Sequence, residues 1–222
     1  MKKIALLLLA ASLSAASFAA DKEVEELLAK MRNAYKNIGT VTFSSEATIL
    51  ADNGDVTIKM SGGFKSPNLM YVDVNAGEGK AHIVSDGTKI YASPEGADNV
   101  FELAWNVDNM GRVLSGANLE VLNFFDWKRQ LSTAKGDNMA ESKLSLRKNV
   151  KWNNKTWLVL EESAPQVGVY VEYYIDTKTN LIWRTVQMTL DKEFVRGDFI
   201  MKSINLGAKI DDKKFKKPVI TE

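Results

Sequence analysis

Val41-Thr42-Phe43-Ser44-Ser45-Glu46-Ala47-Thr48-Ile49-Leu50 and, after a short break, Val56-Thr57-Ile58-Lys59-Met60-Ser61-Gly62-Gly63-Phe64-Lys65 decide the fold of this chain. In the first run Val41, Phe43, Ala47 and Ile49 alternate with Thr42, Ser44, Glu46 and Thr48. In the second, Val56, Ile58, Met60 and Phe64 alternate with Thr57, Lys59, Ser61 and Lys65. Side chains of a strand point to opposite faces in turn, so each run presents one apolar and one polar face. Asp52-Asn53-Gly54 between them is a turn signal. Two strands joined so tightly pair antiparallel.

The same grammar continues toward the C terminus. Ser66-Pro67-Asn68 turns the chain, and Met70, Val72 and Val74 resume the alternation. Ala81–Ser85 and Lys89–Ala92 flank Asp86-Gly87, a tight-hairpin signal. Later strands run through Leu144, Leu146 and Val150, then Trp157 and Val159, then Val167 to Ile175, with turns at Asn153-Asn154 and Asp176–Asn180. Ile182, Val186, Met188 and Leu190 follow, then Phe199, Met201, Ile204 and Leu206 after Arg196-Gly197-Asp198. The charged segment Asp211–Lys217 marks an edge of the fold. The tally is about ten strands, and a sheet that wide curls or closes rather than lying flat. Ser61-Gly62-Gly63, inside a strand pattern, marks a bulge or a bend.

Helical spacing occurs at two places. Val24, Leu27, Leu28, Met31, Tyr35 and Ile38 predict an amphipathic helix over Asp21–Asn37, ended by Gly39. In the middle, Val107, Met110 and Leu114 predict a short helix over Asn106–Gly116. Asn118–Leu131 reads as a second helix, but Leu119, Val121, Leu122, Phe124, Phe125, Trp127 and Leu131 go nearly all the way round it. A helix apolar on two sides needs two apolar neighbours. It is either a core helix or a lid with a bound apolar ligand on its second side. The fold class is therefore α+β and mostly β: a curved antiparallel sheet wrapped around helices, with a concave apolar interior of the kind that holds ligands.

The first residues have a separate meaning. Met1-Lys2-Lys3 is positive, Ile4–Ala16 is apolar, and Ser17-Phe18-Ala19 ends in small residues. This is the layout of a secretory signal peptide, cleaved after Ala19. The apolar run is too short for the ~20 residues that span a bilayer. Residues 1–19 are thus expected to be a signal peptide, and 20–222 one domain exported across a membrane. The chain has no cysteine, which excludes a thiol nucleophile, disulfides and a lipid attachment site. Loss of Lys2 and Lys3 takes the basic count from 29 to 27 against 28 acidic residues. That balance offers no field to attract nucleic acid.

Catalytic patterns are weak. The lone histidine, His82, lies near Ser85 and Asp86, but His82 and Ser85 project to opposite faces of one strand and Asp86 starts a turn, which opposes a triad. Glu161-Glu162 also diverge, and Asp211-Asp212 lie in the charged tail. Asp52-Asn53-Gly54-Asp55 lacks the distal Glu of a calcium loop. No metal site and no cofactor are expected. Tyr170, Tyr173, Tyr174, Trp152, Trp157 and Trp183 suit strand packing better than a carbohydrate platform. Arg184 sits in line with Ile182, Val186, Met188 and Leu190. It either snorkels at the rim of the sheet or acts as a latch to the helical elements or to a ligand head group.

The order of these elements resembles a known family. An export signal leads directly into an amphipathic helix, and Val41-Thr42-Phe43-Ser44 opens a strand meander. Asp86-Gly87-Thr88-Lys89-Ile90-Tyr91 is similar to one hairpin of the Lol-like periplasmic proteins, the LolA/LolB-like lipoprotein-sorting carriers and their relatives. Tyr174-Ile175-Asp176-Thr177-Lys178-Thr179-Asn180-Leu181-Ile182-Trp183-Arg184 is similar to another. The resemblance implies a half-open barrel with a helical lid over an apolar cavity, no cofactor and no covalent chemistry. It implies a soluble carrier or chaperone for the acyl chains of lipids or lipoproteins, with a membrane-associated release or acceptor protein as a further partner. The early-strand arginine of the sorting carriers has no counterpart in Val41–Leu50 or Val56–Lys65. A sensor or adaptor of the same shape that binds a protein, and a periplasmic hydrolase, are the alternatives. With the apolar face inward, the expected lining is Phe43, Ile58, Met60, Val72, Val171 and Met188, under a cover of Leu122 and Phe125. Methionines suit such a lining because a thioether adapts to a flexible chain.

Overall fold

A computed structural model describes residues 22–218, apart from 51–53, 78, 107, 111–112, 114–142 and 166–167. The expected segments 1–19 and 118–131, with Leu122 and Phe125, lie outside the described residues. Helix α1 spans Lys22–Lys36. Eleven strands follow: β1 Thr40–Ile49, β2 Val56–Lys65, β3 Leu69–Ala76, β4 Gly79–Asp86, β5 Lys89–Pro94, β6 Phe101–Ala104, β7 Lys143–Trp152, β8 Lys155–Ala164, β9 Val169–Ile175, β10 Ile182–Thr189 and β11 Val195–Leu206. A short 3₁₀ turn at Asp212–Phe215 comes near the end. β6 is one strand more than the alternation predicts.

All eleven strands form one sheet, in the order β6-β5-β4-β3-β2-β1-β11-β10-β9-β8-β7. Every neighbouring pair is antiparallel. Two meanders, β1–β6 and β7–β11, are joined by the pairing of β1 with β11. Among the described residues β6 and β7 are the two edges, so the sheet is a curved half-open barrel rather than a closed one.

The turns are built as their residues require. The Asp86 carboxylate accepts from the Thr88 and Lys89 N–H groups at 2.8 Å, and Asp176 accepts from Lys178 and Thr179 in the same manner. Asn153, Asn154 and Asn180 take left-handed backbone angles, with φ of 49°, 58° and 55°. Short Asn side chains tolerate that region better than most.

The concave face carries the main core. Continuous register places Phe43, Gly62, Val72, Ile83 and Ala92 in one row across β1–β5. Leu160, Tyr173, Thr185, Phe199, Ala47 and Ile58 form another row from β8 to β2. Val24, Leu27, Met31 and Tyr35 of α1 pack into the same cluster. Each such side chain, fully buried, contributes about 1.5–3 kcal/mol. Residues 108–110 and 113 are helical, and Asn106 caps them by accepting from the Asn109 N–H at 2.7 Å. Met110 is fully buried in the core, so the expected interruption of the sheet by helix holds over these residues.

The glycine pair in β2 gives no bulge. β2 stays in register with β1 and β3 through Gly62 and Gly63. The two residues admit close approach instead: a Cβ on Gly62 would stand 2.2 Å from the Tyr71 carbonyl oxygen and 2.9 Å from Cζ of Phe43. The irregularities lie elsewhere, at Ser44/Ser45, Arg147/Val150, Ile182/Arg184 and Gln187/Met188.

The convex face is covered in two places. Trp157, Val159, Tyr174 and Val186 form a small second core under Val150, Trp152, Trp183 and Met188. At the other end, Phe215 is buried, with its ring 5.8 Å from that of Tyr71. The charged tail is therefore strapped across the convex side of β3 and β4. Lys65 pairs with Asp212 at 2.7 Å, and Lys214 and Lys217 lie over the rings of Tyr71 and Tyr91.

Candidate functional site

The concave face is the candidate site, because there the curvature gathers apolar side chains from nearly every strand. Phe43, Ile58, Met60, Val72 and Val171 all lie on it, in one cluster and at most 6% exposed. Five of the six expected wall residues are thus brought together.

Met188 is not among them. Between Ile182 and Arg184 the β9–β10 register slips. The slip moves the alternation by one: Ile182 joins the concave cluster, while Val186 and Met188 face the convex one. A one-residue slip carries every later side chain to the other face.

The same irregularity places Arg184. Its Nε and a terminal nitrogen donate to the two oxygens of Asp198, each at 2.8 Å. The guanidinium lies 4.9 Å from the Trp152 ring centre and 5.0 Å from that of Tyr174. The bond to Asp198, ahead of the opposing effect of burial, holds it charged. Arg184 therefore fastens β10 to β11 on the convex side and does not stand as a latch at the concave face. Its partner Asp198 lies on the next strand, but the register irregularities in β10 hide from simple alternation which face Arg184 takes.

Polar groups do enter the concave face. Glu162 is 2% exposed and accepts from the Tyr173 hydroxyl at 3.0 Å. Burial, then the neighbouring carboxylate, pushes the Tyr173 phenol well above its ordinary range. The Tyr35 hydroxyl accepts from the Ile182 N–H at 3.1 Å, which fixes α1 to β10, and burial raises its phenol too. Ser45 points inward from β1, and its hydroxyl is buried with no hydrogen-bond partner among the described residues. The sequence reading counted Glu162 only as half of a divergent acidic pair. Its row on β8, two residues from Leu160, is the signal that places it on the apolar face.

The other chemical candidates separate. His82 Nδ1 lies 2.6 Å from an Asp73 oxygen on the convex side. The Ser85 hydroxyl donates to the Asn68 carbonyl at 2.6 Å. Asp86 is occupied by its turn: burial would push its carboxyl up, but bonds from Thr88, Lys89 and Tyr91 outweigh this and hold it below the ordinary range. The three residues make no relay. Among the described residues no group of three His, Cys, Asp or Glu could hold a metal ion. Among the described residues, recesses open at opposite rims of the half-barrel. One of about 640 Å³ is mostly polar, lined by Lys59, Asp73, Asn75, Lys80, His82 and Glu95, and one of about 420 Å³ lies at Ile38, Leu181 and Leu206. No helix among the described residues is long and apolar enough to cross a membrane.

No family model and no curated protein sequence matches the chain. Solved structures do. MucB is 14% identical with a TM-score of 0.50, over 88% of this chain and 63% of that one. MucB in complex with MucA(peri) is 12% identical at 0.50, over 89% and 62%. The chain thus spans less than two thirds of the length of MucB. A LolA superfamily protein from Nitrosomonas europaea is 13% identical at 0.42, over 87% and 97%. At these identities the likeness is one of fold. The chain shares the fold of MucB over the aligned part, an unclosed and curved antiparallel sheet with helical elements against its concave face.

Proposed function

We propose that the protein is a non-catalytic periplasmic carrier that binds the acyl chains of a lipid or lipoprotein against the concave face of the sheet. One observation carries the reading: a single continuous apolar surface runs across nearly all the strands of a sheet that does not close. Each methylene moved there from water contributes ~0.8 kcal/mol, so a long acyl chain gains several kcal/mol after ordering costs. Met60 lies on that surface. The protein recovered from cells is expected to carry acyl-chain mass in native mass spectrometry, identified by lipid extraction. In a roomy cavity Met60→Glu is expected to fold and to lose affinity for a fluorescent fatty-acid probe, whereas unfolding of the variant marks a packed core and counts against the reading. Unchanged affinity in the folded variant removes this face from consideration.

A second reading is a sensor or adaptor that binds a protein. It is favoured by the solved structure of MucB in complex with MucA(peri), since this chain shares the fold of 62% of MucB. Protein free of lipid, joined stoichiometrically to a co-purifying polypeptide, selects it.

A further inference from the structure

The two neighbouring serines of β1 have opposite surroundings. Ser44 faces the convex side, where its hydroxyl and that of Ser203 share a hydrogen bond of 2.7 Å. Ser45 faces the concave side, between Phe43 and Ala47 of the apolar cluster. It is 6% exposed, and its Oγ is buried with no hydrogen-bond partner among the described residues. Of the side chains that β1 turns inward, Val41, Phe43, Ser45, Ala47 and Ile49, it is the one polar member.

The register is interrupted at this same point. Ser44 stands opposite Ser203, but Ser45 stands opposite Met201. A regular ladder would bring Lys202 to the concave face beside Ser45. The irregularity brings Met201 there instead, and Lys202 pairs with Glu46 at 3.3 Å. Such bulges re-aim side chains. On its other side Ser45 has Met60 of β2 as its register partner. The hydroxyl is thus set among Phe43, Ala47, Met60 and Met201.

A buried hydroxyl without a partner gives up its bonds to water and gains none. The Glu162 and Tyr35 oxygens on this face are bonded, to the Tyr173 hydroxyl and the Ile182 N–H. A buried water needs about three polar partners, and the side chains around Ser45 offer no donor and only weak sulfur acceptors. A ligand that brings its own acceptor meets the need. An acyl chain has one at its carbonyl, which is uncharged and so costs little to bury once bonded.

We propose that Ser45 is a specificity-determining residue of the concave site: its hydroxyl donates to the carbonyl oxygen of an acyl ester or amide bound there. The inference rests on the carrier reading and adds the chemical group that the protein reads. Ester-linked lipid and N-acylated protein both supply that carbonyl.

The test is displacement of a fluorescent fatty-acid probe from the purified full chain by methyl decanoate, N-methyldecanamide and dodecane, which are alike in chain length. Ser45→Ala is expected to weaken the ester, the amide or both about fivefold, and to bind dodecane as well as wild type or better. It is expected to melt no lower than wild type, because the hydroxyl it removes is unbonded in the free protein. Met201→Leu alters the lining and keeps the hydroxyl, so it should move all three ligands together. A selective loss of the ester alone points to ester-linked lipid as cargo, and of the amide alone to N-acylated protein; both uphold the role of Ser45. The proposal is overturned, with the carrier reading intact, if all three ligands displace the probe and Ser45→Ala changes them equally or not at all. A lower melting temperature for Ser45→Ala overturns it too, since the hydroxyl would then be bonded without ligand. If none of the three displaces the probe, the carrier reading falls and the proposal falls with it.

Discussion

Replacement of Gly62 by alanine tests the curvature on which the site depends. The added Cβ would meet the Tyr71 carbonyl oxygen at 2.2 Å, Cζ of Phe43 at 2.9 Å and Cα of Val72 at 3.1 Å. Two of these atoms are backbone of β3, which is paired on both sides, to β2 and to β4. The clash is relieved only by moving a strand in the middle of the sheet. Overpacking of this kind costs typically 1–3 kcal/mol, and a backbone obstacle places Gly62→Ala at the upper end, about 3 kcal/mol. For a chain of this size that is a fall in melting temperature of about 6–12 °C. Two neighbours calibrate it. A Cβ on Gly63 meets the edge of the Tyr71 ring at 2.6 Å, and a ring can move, so Gly63→Ala should cost less. Gly39 has nothing within 4 Å, so Gly39→Ala should be neutral or stabilising by up to about 1 kcal/mol, through the unfolded chain. Thermal unfolding followed by circular dichroism ranks the three. If Gly62→Ala melts within about 2 °C of Gly39→Ala, β2 and β3 do not approach as described and the argument for the curved floor under Phe43 is wrong.

Other expectations are more local. Tyr35→Phe removes the hydroxyl that accepts from the Ile182 N–H, and should cost about 1–2 kcal/mol in urea unfolding, with α1 loosening first in hydrogen exchange. Phe215→Ala empties a buried site between the tail and the convex face and should cost about 3 kcal/mol; truncation before Asp211 should cost at least as much, and no loss in either would show that the strap carries no stability. Asp86→Asn addresses the pH dependence. The folded carboxyl is held below its ordinary value, so its contribution is complete above the unfolded value near 4 and fades as pH falls through the folded value. Wild type and Asp86→Asn should therefore differ most at neutral pH and converge in acid; a gap that widens on acidification contradicts the assignment.

Much of the architecture was legible in the residues because it is local. Alternation in Val41–Ile49 and Val56–Lys65 marks strands whatever they pair with, and Asp86, Asp176 and Asn153-Asn154 form turns through bonds and backbone angles of their own. The helical spacing from Val24 to Tyr35 likewise named the buried face of α1. Five wall residues of the candidate site followed from the same periodicity.

What periodicity could not decide is which face of each strand is concave. In β8 both faces are apolar, with Leu160 inside and Trp157 and Val159 outside, and nothing local distinguishes them. Nor does it register a slip: the irregularity after Ile182 sent Met188 to the convex face and set Arg184 beside Asp198. β6 is only four residues long, too short for alternation to show. The union of the two meanders rests on β1 meeting β11, and the strapped tail on Phe215 meeting Tyr71. These contacts join residues more than a hundred positions apart. A repeat of two states how a strand divides its side chains. Only the closed set of long-range pairings, which must satisfy every backbone group and bury every apolar face at once, determines where each half goes.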